Sequence, residues 1–283
     1  MLPSRRVAAT VLCGVASLTP MVARGQGQDA RALVRAIVKS ELAADAKDHS
    51  RWMFRDANTV EGKSTVKLVV QTSQGDISKI IELDGRPLTP EQQEDDEQKT
   101  QQFVTDPGVR QKQKHDQQQD GQKARSLTTM LPVGFLWTTT GQSGAEATLG
   151  FKPDPQFNPP TREARVFAAM EGTMVVNTKQ KRIKSLKGTL TQDVDFGFGL
   201  LGKLEKGGTF DVERQQIGPK VWEITATHVH IHGHALIFKS ISEEQDEETS
   251  EYKPTPQFMT LEKAAKMLND GTIAKKLGVA QLQ

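Results

Sequence analysis

Apolar and polar positions alternate with two different periods along this chain. Ala30, Leu33, Val34, Ile37 and Leu42 recur at helical spacing and Asp29 stands where a start cap belongs, so the first element after residue 25 reads as a helix with one face on the body. From Ser64 the period becomes two. Val66, Leu68 and Val70 alternate with Thr65 and Lys67, a turn follows at Gln74 and Gly75, and Ile77, Ile81 and Leu83 continue, which predicts a β-hairpin. Asp84, Gly85, Arg86 and Pro87 end its second strand. Thr89, Pro90 and Gln92 then supply a capping threonine, a first-turn proline and a reciprocal glutamine, the chemistry of a helix start.

Residues 91–126 are rich in Gln, Asp, Glu and Lys, with Phe103 and Val104 as nearly the only large apolar side chains, and Asp106 with Pro107 divides them into two helical halves. Composition alone favours a pair of solvated helices or a partly disordered insertion over an interaction arm or lid. An apolar face returns only through Ala124, Leu127, Thr128 and Leu131, and Pro132 is expected to stop it. Strand-like sequence then runs for over a hundred residues, with strands expected near 133–140, 145–151, 164–177, 181–196, 207–217, 220–231 and 235–250. Short turns without intervening helices imply antiparallel pairing. Leu261, Ala264, Ala265 and Leu268 make one face of a short helix, expected to cap the open end of the sheet. The fold class expected is α+β and β-rich: a single curved antiparallel sheet, a half-barrel, with helices at the N-terminus, in a polar insertion at about 89–131 and at the C-terminus.

The first residues change the picture of where such a domain works. Arg5 and Arg6 precede an apolar run from Val7 to Leu18 that is too short for a stable bilayer span, and Ala23 and Gly25 stand two apart as a signal peptidase requires. A signal peptide over residues 1–25 is therefore expected, leaving 26–283 as one exported domain, periplasmic or extracellular. Residues 1–25 hold three arginines and no acidic residue, so the formal charge of +2 belongs to that segment. The remainder interleaves both signs and offers no clustered basic face, which argues against a nucleic-acid partner. Cys13 is the one cysteine, inside the apolar run and after Leu12, a poor context for lipidation; the mature chain would hold no disulfide. No later stretch approaches a membrane span, so any envelope association would be peripheral.

Three patterns bear on chemistry. Gly197, Gly199 and Gly202 match the dinucleotide-binding fingerprint in spacing, but Gly207 and Gly208 follow within six residues and strand pattern resumes, whereas a true fingerprint opens a helix. No cofactor is expected there, and the glycines read as a tightly turned strand pair. His228, His230, His232 and His234 are four of the six histidines and fall at every second position. On one strand they would share a face, with adjacent rings able to chelate zinc or copper. Gly233 would divide the set if it turned, no carboxylate lies inside the run to orient a ring, and Trp222, Ile224 and Ala226 have the same parity as the histidines. No nucleophile elbow or metal-hydrolase helix is present, so a non-catalytic protein is expected.

Leu83-Asp84-Gly85-Arg86-Pro87-Leu88-Thr89, the segments 171–177 and 182–186, Asp193-Val194-Asp195-Phe196-Gly197-Phe198-Gly199 and 232–239 together resemble a set of exported acidobacterial proteins of unassigned function. More remotely, an initial helix, a long antiparallel sheet and helices crossing it resemble the periplasmic lipoprotein carriers and sigma-factor regulators of the LolA, LolB and RseB type. That resemblance implies a half-barrel whose concave apolar face holds acyl chains under helical lids, with an apolar or lipid ligand, or a lipoprotein, as partner. At 5% aromatic residues the chain has few large side chains to fill a curved sheet, and Phe167, Met174, Val176, Phe196, Phe198, Leu200 and Trp222 are the residues expected nearest the space left. The rival expectations are a metal-binding module built on the histidine run and an interaction protein without a small ligand. Sequencing the N-terminus of protein recovered from its own envelope should give a start within a few residues of Gln26; an intact Met1 would overturn the expectation of export.

Overall fold

A computed structural model describes residues 22–196, 202–235, 239–240 and 243–279. Its centre is one curved, entirely antiparallel sheet of eleven strands that does not close into a barrel. In chain order the strands are β1 (Trp52–Val60), β2 (Lys63–Thr72), β3 (Gly75–Leu83), β4 (Arg86–Pro87), β5 (Phe135–Ser143), β6 (Glu146–Pro153), β7 (Met170–Asn177), β8 (Arg182–Leu190), β9 (Val194–Phe196), β10 (Gly202–Leu204), β11 (Thr209–Gly218), β12 (Val221–Ile231), β13 (Gly233–Ala235), β14 (Lys239–Ser240) and β15 (Glu243–Pro254). The order across the sheet is β4-β3-β2-β1-β15-β12-β11-β8-β7-β6-β5, and β14-β13-β10-β9 form a second, small sheet. The last long strand thus closes the gap between the first hairpin and the middle of the sheet. The glycine run links β9 to β10, an antiparallel pair in which Gly202 faces Phe196, so a strand follows where a nucleotide fingerprint needs a helix. Residues 197–201 of that run lie outside the described residues.

Among the described residues six helices accompany the sheet: α1 (Val22–Asp45), α2 (Pro90–Thr105), α3 (Pro107–Gly134), α4 (Arg162–Phe167), α5 (Leu261–Asn269) and α6 (Thr272–Leu277). Helix α1 begins upstream of Asp29, so that residue is not its cap. The Arg5–Arg6 pair and the apolar run lie outside the described residues, the expected junction after Gly25 falls inside α1, and Ala30 is the first buried residue among the described side chains of α1. The capping box at Thr89 forms as expected, with Thr89 and Gln92 bonded reciprocally. Helix α3 passes through Pro132 and ends at Gly134, and the indole of Trp137 donates to the Leu131 carbonyl at 2.8 Å.

Strand pleating sends the helices to both faces. Ladder partners share a face, and the row Asn58, Glu247, Thr227, Val212, Leu186, Met174 and Leu149 runs across the sheet. On that concave face Leu149 and Met174 join Val34, Ile37 and Leu131 in one core, beneath α1 and α3. Met53, Leu68, Val70 and Ile77 have the opposite parity and are packed against α5, α6 and Phe103 of α2 in a second core. The C-terminal helices therefore cover the convex side of the first strands rather than the open end of the curve. Strand β1 was not legible in the sequence, because Arg55, Asp56 and Asn58 interrupt its apolar pattern; Asp56 is buried and held by Lys67 across the ladder at 3.0 Å.

The polar insertion covers an exposed sheet edge. β3 is next to last in the sheet and β4 pairs only with its final two residues, so the outward N–H and C=O groups of Asp76, Ser78 and Ile80 lack strand partners. Asp96 accepts from the Ile80 N–H at 3.1 Å and Thr100 donates to the Ser78 carbonyl at 3.3 Å. Gln113 of α3 accepts from the Asp76 N–H at 3.0 Å and donates to its carbonyl at 2.8 Å. One helical turn between Asp96 and Thr100 advances about 6 Å, close to the roughly 6.8 Å between alternate strand residues, so one helix face follows the edge. Gly75 allows the approach: a Cβ there would lie 2.8 Å from the Phe103 ring, at a φ of +139°. The helices that composition marks as solvated are ordered and held through their polar residues.

Burial raises the Asp96 carboxyl above its ordinary range, opposed by the Ile80 N–H. A raised folded value favours the protonated form, so this group's contribution is fully present below the unfolded pKa and is lost as pH rises through the folded one. Asp96→Asn keeps an acceptor for Ile80 and removes the buried charge. Thermal melts should show it at least as stable as the parent at pH 7, with the difference vanishing below about pH 4. Asp96→Leu should instead lose about 1–3 kcal/mol, because the Ile80 N–H is left unpaired. Equal melting of the Leu variant and the parent would contradict the edge cap.

Candidate functional site

The concave face is only partly filled. Between it and helices α3 and α4 lies a cavity of about 760 Å³. Leu127 and Leu131 of α3 form one wall, Val166 and Phe167 of α4 another, and Leu186, Phe210, Val212 and Ile231 the floor, with Met170, Phe196 and Leu204 at its end. The four residues that restore an apolar face to α3, namely Ala124, Leu127, Thr128 and Leu131, all line this space, so that face roofs the cavity while its last member, Leu131, also packs in the core. Aromatic edges fix the back wall: Phe135 and Phe167 meet edge to face at 5.0 Å, and Phe135 and Phe151 at 4.8 Å. Gly188 leaves room for the Phe210 ring; a Cβ there would come within 2.4 Å of it.

A second compartment of about 840 Å³ shares Ala124, Thr128, Leu131, Leu186 and Val212 with the first, and the two make one trough. Its far end is charged. Glu41 of α1 is buried; its Oε1 accepts from the Ile183 N–H at 2.6 Å and pairs with Arg214 at 2.8 Å, and its Oε2 pairs with Arg182 at 3.2 Å. Arg214 also donates to the Trp222 carbonyl at 3.0 Å, and the Trp222 indole donates to Gln180 at 2.9 Å. Burial lowers the Arg182 guanidinium from its ordinary value, with Glu41 opposing and Arg214 adding to that shift. Burial likewise raises Glu223, with Asp48 adding to it and Arg214 and Arg182 opposing.

Of the residues expected to line a cavity, Phe167 and Phe196 do so in the first compartment and Trp222 in the second. Met174 and Val176 do not: both are fully buried in the core beneath. Phe198 and Leu200 lie outside the described residues. Leu127, Leu186, Phe210, Val212 and Ile231 were missed. Phe210 and Val212 alternate on β11 and Ile231 is two residues from Val229, so the pleat signal was present, but which parity faces inward is decided by pairing.

A bulge on β12 explains the parity conflict around the histidines. Glu213 faces Ala226 while Arg214 faces Ile224, so Thr225 is the extra residue and the faces exchange there. Trp222 and Ile224 look into the trough before the bulge; after it Val229 and Ile231 do, and His228, His230 and His232 turn to the convex side. Thr249 donates to the freed Ile224 carbonyl at 2.9 Å and Tyr252 at 3.4 Å, and burial pushes the Tyr252 hydroxyl up to about 12. The ring partners come from β15. His228 and His230 both bond the same Asp246 oxygen, at 2.6 and 3.0 Å, and His232 lies 3.3 Å from Glu244. His234 belongs to β13 in the other sheet, and its ring lies outside the described side chains. Among the described residues no group of three or more His, Cys, Asp or Glu side chains could hold a metal ion.

No helix among the described residues is long and apolar enough to cross a membrane. Comparisons with protein families, with curated proteins and with solved structures find no match to this chain. Each ring keeps a second nitrogen, but no third ligand converges on the pair among the described residues, so micromolar zinc or copper should leave the melting temperature unchanged. A rise abolished in His228→Ala/His230→Ala would restore the metal alternative.

Proposed function

We propose that this protein is a non-catalytic, exported binder of an apolar or acylated ligand, held in the trough between the concave sheet face and helices α3 and α4. The observation that carries this is the roughly 760 Å³ cavity lined mostly by aliphatic and aromatic side chains, with Thr128, Arg162 and Glu163 as its polar members, and roofed by the one apolar stretch of an otherwise polar helix. A space of that size is typical of small-ligand sites, which are mostly apolar and largely pre-formed. Eleven strands in an open curve also provide what the resemblance to lipoprotein carriers implies, a concave surface under helices. Each buried methylene contributes about 0.8 kcal/mol and micromolar affinity needs about 8, so some ten methylenes are required before ordering costs are met. That points to chains of ordinary acyl length rather than to short hydrocarbons.

Titration of the delipidated protein with a fluorescent fatty acid should saturate, and affinity should rise about tenfold for every two methylenes added, until the cavity is full. Leu127→Asp, half-buried on the roof, should abolish binding while leaving the circular dichroism spectrum intact. Absence of saturable binding by the parent, or equal binding by both proteins, would favour an interaction protein without a small ligand.

A further inference from the structure

The apolar trough ends on a buried cationic pair, and the order of residues along one strand joins the two. On β11 Phe210, Val212 and Arg214 share the concave face at intervals of about 7 Å. Phe210 lines the first compartment, Val212 lines both, and Arg214 lines the second. A chain lying over Phe210 and Val212 therefore leads toward the Arg214 guanidinium. Arg182 stands on the other side of Glu41, its side chain only 10% exposed.

In direct ion pairs the two arginines outnumber their carboxylates. Arg182 and Arg214 share a single carboxylate, that of Glu41, and the buried Nε of Arg182 has no hydrogen-bond partner. A buried guanidinium with an unused donor is costly unless something accepts from it. Asp48 and Glu223 also line this compartment, and burial raises the Glu223 carboxyl from its ordinary value. An oxyanion in the compartment would accept from one or both guanidinium groups, whose planar forked donors suit carboxylate and phosphate alike.

Resting on the ligand class proposed above, we infer that the ligand is an anionic amphiphile whose carboxylate or phosphate head sits at Arg182 and Arg214, with its hydrocarbon tail in the aliphatic cavity roofed by Leu127 and Leu131. The pair acts as a specificity determinant: a neutral head group of equal chain length leaves the same donors unsatisfied.

The test displaces a neutral dye, N-phenyl-1-naphthylamine, from the delipidated full chain with tetradecanoate, tetradecyl phosphate and tetradecan-1-ol, each below its aggregation limit. At least one of the two anions should compete at about tenfold lower concentration than the alcohol, and the better anion tells a fatty-acid head from a phospholipid-type one. Arg214→Met should remove that advantage without weakening the alcohol. Glu41→Gln, which keeps an acceptor for the Ile183 N–H while removing the competing charge, should move the anions the opposite way, toward tighter binding, and leave the alcohol unchanged. A purely structural ion network would instead weaken all three ligands in both variants. Equal competition by acid, phosphate and alcohol overturns the head-group site while leaving the apolar cavity standing. Failure of every ligand, the dye included, overturns the cavity and the head-group site together.

Discussion

An open sheet must cover two faces and two edges, and the period-two pleat decides how this molecule does so. The apolar positions of the first hairpin, Met53, Leu68, Val70 and Ile77, fall on one parity, and those of the later strands fall on the other once the ladder is followed across β15 and β12. A single helical layer could not bury both sets. Helices α5 and α6 therefore close the convex side at one end, and α1 and α3 lie over the concave side at the other. The bulge at Thr225 adjusts the pleat again inside β12, so that Trp222 and Ile231, nine residues apart and of opposite parity, face the same trough.

The edge at β3 is covered by side chains rather than by another strand. Asp96, Thr100 and Gln113 reproduce the donors and acceptors of a neighbouring strand from helical backbones, which protects the edge from pairing with a second chain. The second of these helices then reaches the concave side, where the last turns of α3 carry Leu127 and Leu131 over the cavity. One insertion thus caps an edge with its polar residues and roofs a cavity with its few apolar ones. The roof depends on the cap, since α3 enters over β3 and leaves over β5.

Glu41 has a similar double position. It fastens α1 to the start of β8 through the Ile183 N–H and gathers Arg182 and Arg214 at the end of the trough. Replacing such a network with apolar residues of similar volume is often neutral or stabilising in proteins, so stability alone gives weak reason for two buried guanidinium groups around one carboxylate. Both line the charged end of the trough, the observation from which the head-group proposal starts.

The sequence by itself determined the elements whose signals are local. Period-two alternation marked β2 and β3, the capping box marked the start of α2, strand pattern resuming after the glycine run argued against a nucleotide site, and short turns without helices implied an antiparallel, β-rich α+β fold; in each case the interacting residues are neighbours in the chain. What tertiary structure decided depended on partners far away. Asp246 and Glu244 orient histidines that have no carboxylate within their own run, Glu41 meets arginines more than a hundred residues on, and Asp96 finds an N–H on a strand edge. The inward parity of β11 and β12 is invisible locally, because alternation has the same amplitude on either face and one bulged residue exchanges them. Met174 and Val176 lie in the core and not at the cavity: alternation reports which side of a sheet is apolar, whereas the helices that pack above it decide how much of that side is left empty.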